Sequence, residues 1–538
     1  MNDNFASSSS RSSRVTLLVG LGLWLILAVI WSVRLSGGPA DQPNLSPAEG
    51  SPLLPCVSYA PFRRPGHTPF DPHLRLTREA LLDDLSRLAR ISSCVRLYGV
   101  SHGLDQVPEI AGELGLKVAL GAWISRDAAA NEVELERVLE LARRHPEVVR
   151  TVIVGNEVLL RRELTAQQLA SLLQRARTGS GGVPVTYADV WEFWLRDIEA
   201  LKPHVDLIGI HVLPYWEDNP TGVDAAAAHM VDVVKHVEQA FAPLPVWVAE
   251  TGWPVRGRQR GPALPGLMEQ ARWVADLQAL HRDQGIDFNF IEGFDQPWKR
   301  QLEGVMGGAW GLLDAQGELR AGNFLRPALG DPEALAGLLG LTLGACIAMI
   351  WSRRKGLHLL NPTVMGMSLV VGLTAHHFTA WLDWPRSISE WVTGGVAPLL
   401  LVLVSARPYR KQLPNRTLDA MLLFALSVGA LTLCFDARYR MLPWSLVAAA
   451  AVLAWWRLFH HSSRRVVSPL SVGSSPATRM MGVGLGVAAI ALPLLEGPEN
   501  IQAWGVAAGW AALSLSALWA IDEAQHAAHQ QPQHAEIR

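Results

Sequence analysis

Charge is scarce. Only 18% of the 538 residues are charged, and 47 basic side chains nearly cancel 49 acidic ones, leaving −2. No basic surplus supports a nucleic-acid partner. Cysteine is rarer still: the four present show no zinc-type spacing. Tyrosine occurs six times against 21 tryptophans. Tryptophan serves both bilayer interfaces and sugar platforms. What is plentiful is apolar residue, 49% of the chain, unevenly spread. Residues 55–330 read as globular, and the chain from about 334 onward reads as membrane.

Residues 1–14 are polar, Ser-rich and carry Arg11 and Arg14. Val15 to Val33 is an apolar run of 19 residues, enough to span a ~30 Å hydrocarbon core at ~1.5 Å per residue. Signal peptides have a shorter apolar region, ~7–15 residues, so an anchor is favoured over a cleaved leader. Seven further apolar runs follow, near 334–351, 363–382, 389–404, 418–435, 442–459, 480–495 and 501–521. Alternate loops are rich in Arg and Lys: Arg353, Arg354 and Lys355; Arg407, Arg410, Lys411 and Arg416; Arg464, Arg465 and Arg479. The intervening loops carry Arg386, then Arg438 and Arg440, then none near Glu496 and Glu499. The positive-inside rule puts the first set in the cytoplasm. The expected order is a cytoplasmic tail (1–14), a transmembrane anchor (15–35), a linker (36–54) and a globular domain outside (55–328). A membrane domain of about seven helices (334–521) and a cytoplasmic tail (522–538) complete it. In a bacterium that is the inner membrane, with the globular domain in the periplasm and membrane lipid as a partner.

Within the globular part, eight short β-rich runs alternate with amphipathic segments. The strands are expected at Cys56–Ala60, Cys94–Tyr98, Lys117–Trp123, Thr151–Gly155, Pro184–Ala188, Leu207–Leu213, Pro245–Ala249 and Phe288–Phe294. Leu81–Ala89, Glu132–Arg144, Thr165–Arg177 and Leu267–Gln284 repeat apolar residues at three and four. Thr165 and Gln168 fit a capping box. Eight such units predict an α/β fold, a (β/α)8 TIM barrel. An open doubly wound sheet is the runner-up, but no Gly-rich phosphate loop follows the first strand.

Barrel chemistry sits at the carboxyl ends of strands. The fourth strand runs Val152-Ile153-Val154-Gly155-Asn156-Glu157; the seventh runs Val246-Trp247-Val248-Ala249-Glu250. A Glu after such apolar runs is costly unless it faces a polar site. Two facing carboxylates are the minimum apparatus for glycosidic cleavage. The bland alternative is two strand-end acids that cap helices or pair with Arg. Two carboxylates suffice for this chemistry, so no metal or other cofactor is implied.

The segments VGNEVLLR (154–161) and VAETGWP (248–254) resemble glycoside hydrolase family 17, β-1,3-glucanases of the 4/7 barrel clan. VSYAPFR (57–63), VRLYGV (95–100), FDQPWK (294–299) and WGLLD (310–314) fit bacterial members, and the resemblance covers about 55–325. It implies Glu157 as acid/base, Asn156 as a partner of the sugar 2-hydroxyl, Glu250 as nucleophile, and retained anomeric configuration. It also implies Glu292 and Lys299 near the site, where Glu303 adds a third charge. Gln296 departs from plant members, which often carry an acid there.

Other residues have two readings each. Tyr215 either hydrogen-bonds Glu250 or packs. Tyr59 and Tyr98 end strands and are candidates for the donor subsite. Arg96 needs an anionic partner, either Glu250 or a structural acid. Trp253 and Trp298, then Trp191, Trp194 and Trp216, either stack on pyranose rings or fill the core. Cys56 stands where relatives usually have Gly. Cys56 and Cys94 open neighbouring strands, so they form either a disulfide or two buried thiols. Glu269-Gln270-Ala271-Arg272-Trp273 looks superficially like a synthase QxxRW motif, but it reads as a barrel helix outside the membrane.

The expected activity is hydrolysis or transglycosylation of β-1,3-glucan, polymeric or oligomeric. Bacterial members with similar tails look like glucanosyltransferases. The alternative is a non-catalytic glucan-binding partner of a glucan synthase or export system. A transporter is a third reading, since His376, His377 and Asp383 cluster at one span.

Overall fold

Residues 3–36, 54–320, 332–354, 356, 362–382, 384–405, 415–435, 438–461 and 476–529 are described in this computed structural model. Residues 37–53, Lys355, Asp383, Arg407, Arg410, Lys411, Arg464, Arg465 and the tail from 530 lie outside them. The chain divides into Asp41–Gly322 and a second unit of Met1–Ala40 with Asn323–Arg538.

The first unit is built on eight parallel strands that close in chain order. They are β1 Cys56–Ser58, β2 Cys94–Arg96, β3 Lys117–Ala122, β4 Val149–Asn156, β5 Val185–Val190, β6 Ile208–His211, β7 Val246–Thr251 and β8 Phe288–Phe290. β8 pairs back onto β1 through Cys56 with Asn289 and Val57 with Phe290. The strands are nearly all buried, as parallel strands between a filled interior and a helical ring must be. Cys56, Cys94, Ala119, Ile153, Ala188, Trp247 and Ala249 pack together as one core cluster. The three alanines leave room for the Trp247 indole.

Helix α1 (Asp3–Ser36) precedes the barrel. The ring comprises α2 Arg78–Leu88, α3 Val107–Glu113, α4 Ala128–Arg144, α5 Ala166–Gly179, α6 Trp191–Arg196, α7 Ile198–Leu201, α8 Val223–Phe241, α9 Leu267–Gln284 and α10 Arg300–Gly307. Thr165 and Gln168 form the reciprocal capping box at α5, a cap worth ~1 kcal/mol. Gly285 ends α9 in the left-handed region, φ 72°, where glycine carries no Cβ penalty.

The second unit joins α1 to α11 Pro332–Arg354, α12 Pro362–Trp381, α13 Ile388–Ser405, α14 Asn415–Phe435, α15 Trp444–His461, α16 Pro476–Glu496 and α17 Ile501–His529. α1 is packed rather than tethered. Trp31 is fully buried and stacks on His376 with centroids 5.3 Å apart. Trp24 Nε1 donates to Ser368 Oγ at 3.0 Å. A Cβ at Gly337 would sit 2.7 Å from the Trp31 ring, so glycine permits that approach. Among the described residues, Glu333–Arg354, Pro476–Glu496 and Ile501–Leu518 are long and apolar enough to cross a membrane. Shorter apolar stretches lie in α1, α13, α14 and α15.

Candidate active site

Glu157 directly follows β4 with φ 53°, a region costing a non-glycine residue ~1–3 kcal/mol. Its turn is held from β5. Tyr187 OH accepts from Leu159 N–H at 2.9 Å and donates to the Asp189 carboxylate. Asp189 in turn accepts from Leu160 N–H (3.3 Å) and Val190 N–H (2.7 Å). Burial pushes the Asp189 pKa up to about 6, against the lowering effect of Tyr187 and His211. Gly155 opens the turn at φ 88°, and a Cβ there would lie 2.5 Å from Val158 Cγ2.

Glu250 lies near the end of β7, only 3% exposed. Arg96 Nη1 donates to its Oε1 at 2.8 Å and to Ala249 O at 2.7 Å; Arg96 Nη2 donates to Asn156 Oδ1 at 2.6 Å. Tyr98 OH donates to the same Glu250 Oε1 at 2.9 Å. Behind it, Asn289 Nδ2 donates to Ser58 Oγ (2.8 Å), and Ser58 Oγ lies 3.0 Å from Tyr98 OH. The chain Asn289–Ser58–Tyr98 thus aims its donors at the carboxylate. Burial pushes the Glu250 pKa up, but His211, Arg96, the Tyr98 hydrogen bond and Lys299 together hold it below the usual range. Burial and the Glu250 charge raise Tyr98 well above an ordinary phenol.

β6 contributes His211, paired in register with Glu250. Its Nδ1 lies 3.0 Å from Glu157 Oε1 and its Nε2 3.6 Å from Glu250 Oε1. Donor atoms of Glu157, His211 and Glu250 all fall within 4.8 Å of one another. Such a trio could in principle hold a cation. Glu250 Oε1, however, already accepts from a guanidinium and a phenol, and the adjacent positive charge repels a dication. The donor set fits a hydrogen-bonded acid pair better than a metal centre.

Glu292 and Lys299 meet beside this pair, Lys299 Nζ donating to Glu292 Oε2 at 3.1 Å. Burial lifts the Glu292 pKa to about 7, against the pull of Lys299. Burial lowers Lys299, but Glu292 and Glu303 outweigh it and leave its pKa raised. Burial also raises Glu303, and the charges of Glu157 and Glu250 act on it.

Several sequence expectations are redirected. Tyr215 does not bond Glu250; it is fully buried and donates to Arg258 O at 2.7 Å. Tyr98, expected only to line the donor subsite, makes the bond to Glu250 instead. Tyr59 is 1% exposed and donates to Asp84 Oδ2 at 3.1 Å. Alternation along the strand sends Ser58 inward and Tyr59 outward. Trp253 is fully buried with Nε1 donating to Leu264 O, and Trp194 is buried with Nε1 donating to Gly209 O. Neither offers a face to a sugar. Trp216 lies against Tyr215, and Trp191 meets His236 edge-on. Trp298 is half-buried, edge to face with Phe62 and the exposed Phe70. Cys56 and Cys94 are joined in a disulfide. Gln296 is buried and donates to Ala60 O at 2.7 Å.

His211, Asn289 and Trp123 join the site without belonging to any of the motifs that mark it in the sequence, and Ser58 joins it from within VSYAPFR. Trp123 just past β3 is 44% exposed, with the Arg161 guanidinium 4.3 Å from its ring centroid. For His211, Ser58 and Asn289 the signal is a polar residue on the inward face of an apolar strand, visible only once the register is known.

Residues 56–311 match the BtgE/BtgC glycoside hydrolase domain family. The chain is 29% identical over 245 residues to a glucan 1,3-β-glucosidase of Candida albicans, covering 41% of this chain and 78% of that protein. It is 28% identical over 242 residues to a glucan 1,3-β-glucosidase of Schizosaccharomyces pombe, covering 42% and 74% respectively. The crystal structure of a glycoside hydrolase family 17 β-1,3-glucanosyltransferase from Rhizomucor miehei covers 50% of this chain and 96% of that one, with 22% identity and a TM-score of 0.44. This chain carries a glycoside hydrolase domain.

Proposed function

We propose that the barrel cleaves β-1,3-glucan with retention of anomeric configuration, on the outer side of a bacterial cytoplasmic membrane. The observation that carries this is the pairing of Glu157 and Glu250, with oxygens within 4.8 Å at the mouths of β4 and β7. Retaining enzymes hold their carboxyl groups ~5–5.5 Å apart, whereas inverting ones need ~6.5–9.5 Å for a water.

Arg96 and Tyr98 both occupy Glu250 Oε1, which leaves Oε2 to attack the anomeric carbon. The depressed pKa keeps that carboxylate ionised. Glu157 gives its proton to the leaving oxygen as the C–O bond breaks, and a glycosyl ester forms on Glu250. Glu157, now ionised, takes a proton from the acceptor that displaces Glu250. His211 hydrogen-bonds Glu157 and holds its side chain over the bond to be cleaved. Arg96 fixes Asn156 by its amide oxygen, so the Asn156 amide N–H groups are left for the sugar 2-hydroxyl. Trp123 and Trp298 offer part-exposed indoles at the mouth for neighbouring sugar units. The substrate class follows the relatives named as glucan 1,3-β-glucosidases.

The acceptor is either water or a sugar hydroxyl. A helical unit fused to the barrel favours work on glucan at the membrane, hence transfer, and a glucan synthase is the natural supplier. The test is product analysis on laminari-oligosaccharides with the detergent-solubilised full chain, with the new anomer read by NMR. β-Anomeric products support the mechanism, and α-products overturn it. Longer or newly linked products identify a transferase. Glu157→Ala should lose ~10²–10⁴-fold of activity, the usual share of general acid–base catalysis. Unchanged glucan processing in Glu250→Ala would leave only the glucan-binding reading.

A further inference from the structure

The helical unit contains a cavity of about 270 Å³. It lies where α12 and α14 end and α13 and α15 begin, the end that the loop charges assign to the outside. Its walls include His377, Trp381, Trp384, Glu390, Arg440 and Trp510. His377 is 2% exposed, and among the described residues neither ring nitrogen has a hydrogen-bond partner. Trp381 Nε1 is also buried, with no hydrogen-bond partner among the described residues. The Trp384 ring meets His377 edge-on at 5.2 Å. Glu390 pairs with Arg386 at 2.6 Å and lies 3.7 Å from Arg440. Gly394 and Gly395 lie against the Trp381 indole, and a Cβ at Gly394 would sit 2.6 Å from its Nε1. Glycine therefore lets α13 close that wall.

These features select the ligand. An acyl chain would fill the space but leave the His377 and Trp381 polar atoms unpaired, at ~1–3 kcal/mol each. A pyranose ring meets both demands: its C–H faces suit indole rings, and its hydroxyls suit the imidazole, the indole N–H and the carboxylate–guanidinium cluster. The volume lies just under the ~300–1,000 Å³ of typical small-molecule sites, room for one sugar unit rather than a polymer segment. We propose that this cavity is a second, non-catalytic carbohydrate site that holds a terminal glucosyl unit of β-glucan. The choice of glucan rests on the function proposed for the barrel; the site itself rests on the cavity and its unpartnered polar groups.

The test uses the full chain in lipid nanodiscs, with Glu250→Gln to stop turnover. The probe is laminaritetraose carrying a photoreactive diazirine, and labelled peptides are mapped. The expected result is labelling in both the barrel and the peptides around Trp384 and Tyr439, competed by unlabelled laminaritetraose. Trp384→Ala and the milder His377→Phe should each lose the helical label and keep the barrel label. Trp384→Phe, which retains a ring face, should keep both. Labelling of the barrel alone would overturn the second site and leave the barrel's function standing. Helical labelling displaced by phosphatidylglycerol but not by laminaritetraose would overturn it in favour of a lipid site. Labelling of neither unit would overturn both readings together.

Discussion

Glu250 combines near-complete burial with a depressed pKa, two properties that oppose each other unless donors are supplied. Arg96 supplies a charge and Tyr98 a hydrogen bond, both to Oε1. Tyr98→Phe removes one donor without opening a cavity. A hydrogen bond to a charged group is worth ~1.5–3 kcal/mol, so kcat should fall about 10–100-fold. Losing the donor raises the Glu250 pKa, so the acid limb of the kcat/KM profile should move to higher pH; a limb that stays in place would refute the role. The sign also holds for stability. A depressed carboxylate pKa stabilises the fold above the ordinary carboxylate range, and that contribution is lost as pH falls through the lowered value. Ser58→Ala should move the limb the same way but less, because it acts only through Tyr98. The two glutamates are legible in the sequence because each ends an apolar run. The tyrosine that serves Glu250 is not, because Tyr59, Tyr98 and Tyr215 all follow strands. Only the inward or outward parity of each strand separates them, and at Tyr59 it points to Asp84.

Strand boundaries show the same limit at the scale of elements. β1, β2 and β8 are three residues each, although the apolar runs continue further. Tyr59, Ala60 and Leu97 remain buried beyond the last strand residue. Hydropathy reports burial, not ladder hydrogen bonds, so it overruns wherever the mouth loops are themselves packed. Amphipathic helices have a sharper signature, and α9 spans Leu267–Gln284 as its periodicity indicates. Two elements carry predictions. The Cys56–Cys94 bridge ties β1 to β2 across a sequence separation of 38. Loop-closure entropy for that length gives about 4 kcal/mol, so replacing both cysteines with serine should lower unfolding stability by up to that amount, read by urea titration. The β5 brace is the second. Tyr187→Phe removes the acceptor for Leu159 N–H and the donor to Asp189. It should loosen the Glu157 turn and lower kcat roughly tenfold, with KM little changed.

The whole molecule sets the barrel between α1 and α11 in sequence, and those two helices belong to one helical unit. The apolar run Val15–Val33 reads as a transmembrane anchor, and a run of that length does not reveal what it packs against. The buried Trp31, its stack on His376 and the Trp24 bond to Ser368 make α1 part of the bundle. Trp31→Ala should therefore destabilise the helical unit by about 3–5 kcal/mol, the usual cost of truncating a buried large aromatic residue. Detergent-resistant yield and thermal inactivation of the full chain would show it. Orientation needs a different experiment, because packing fixes neighbours but not sides. Arg353 and Arg354 close α11, whereas Arg386, Arg438 and Arg440 flank the α12–α13 and α14–α15 turns. The positive-inside rule weighs the first loop, with its adjacent Lys355, as cytoplasmic. Alkaline phosphatase folds only where disulfides form, so a fusion after Arg320 should be active and one after Arg354 inactive. A fusion after Glu496 should again be active. An inactive fusion after Arg320 would place the barrel in a reducing compartment, where the Cys56–Cys94 bridge would not persist, and would overturn the proposed location.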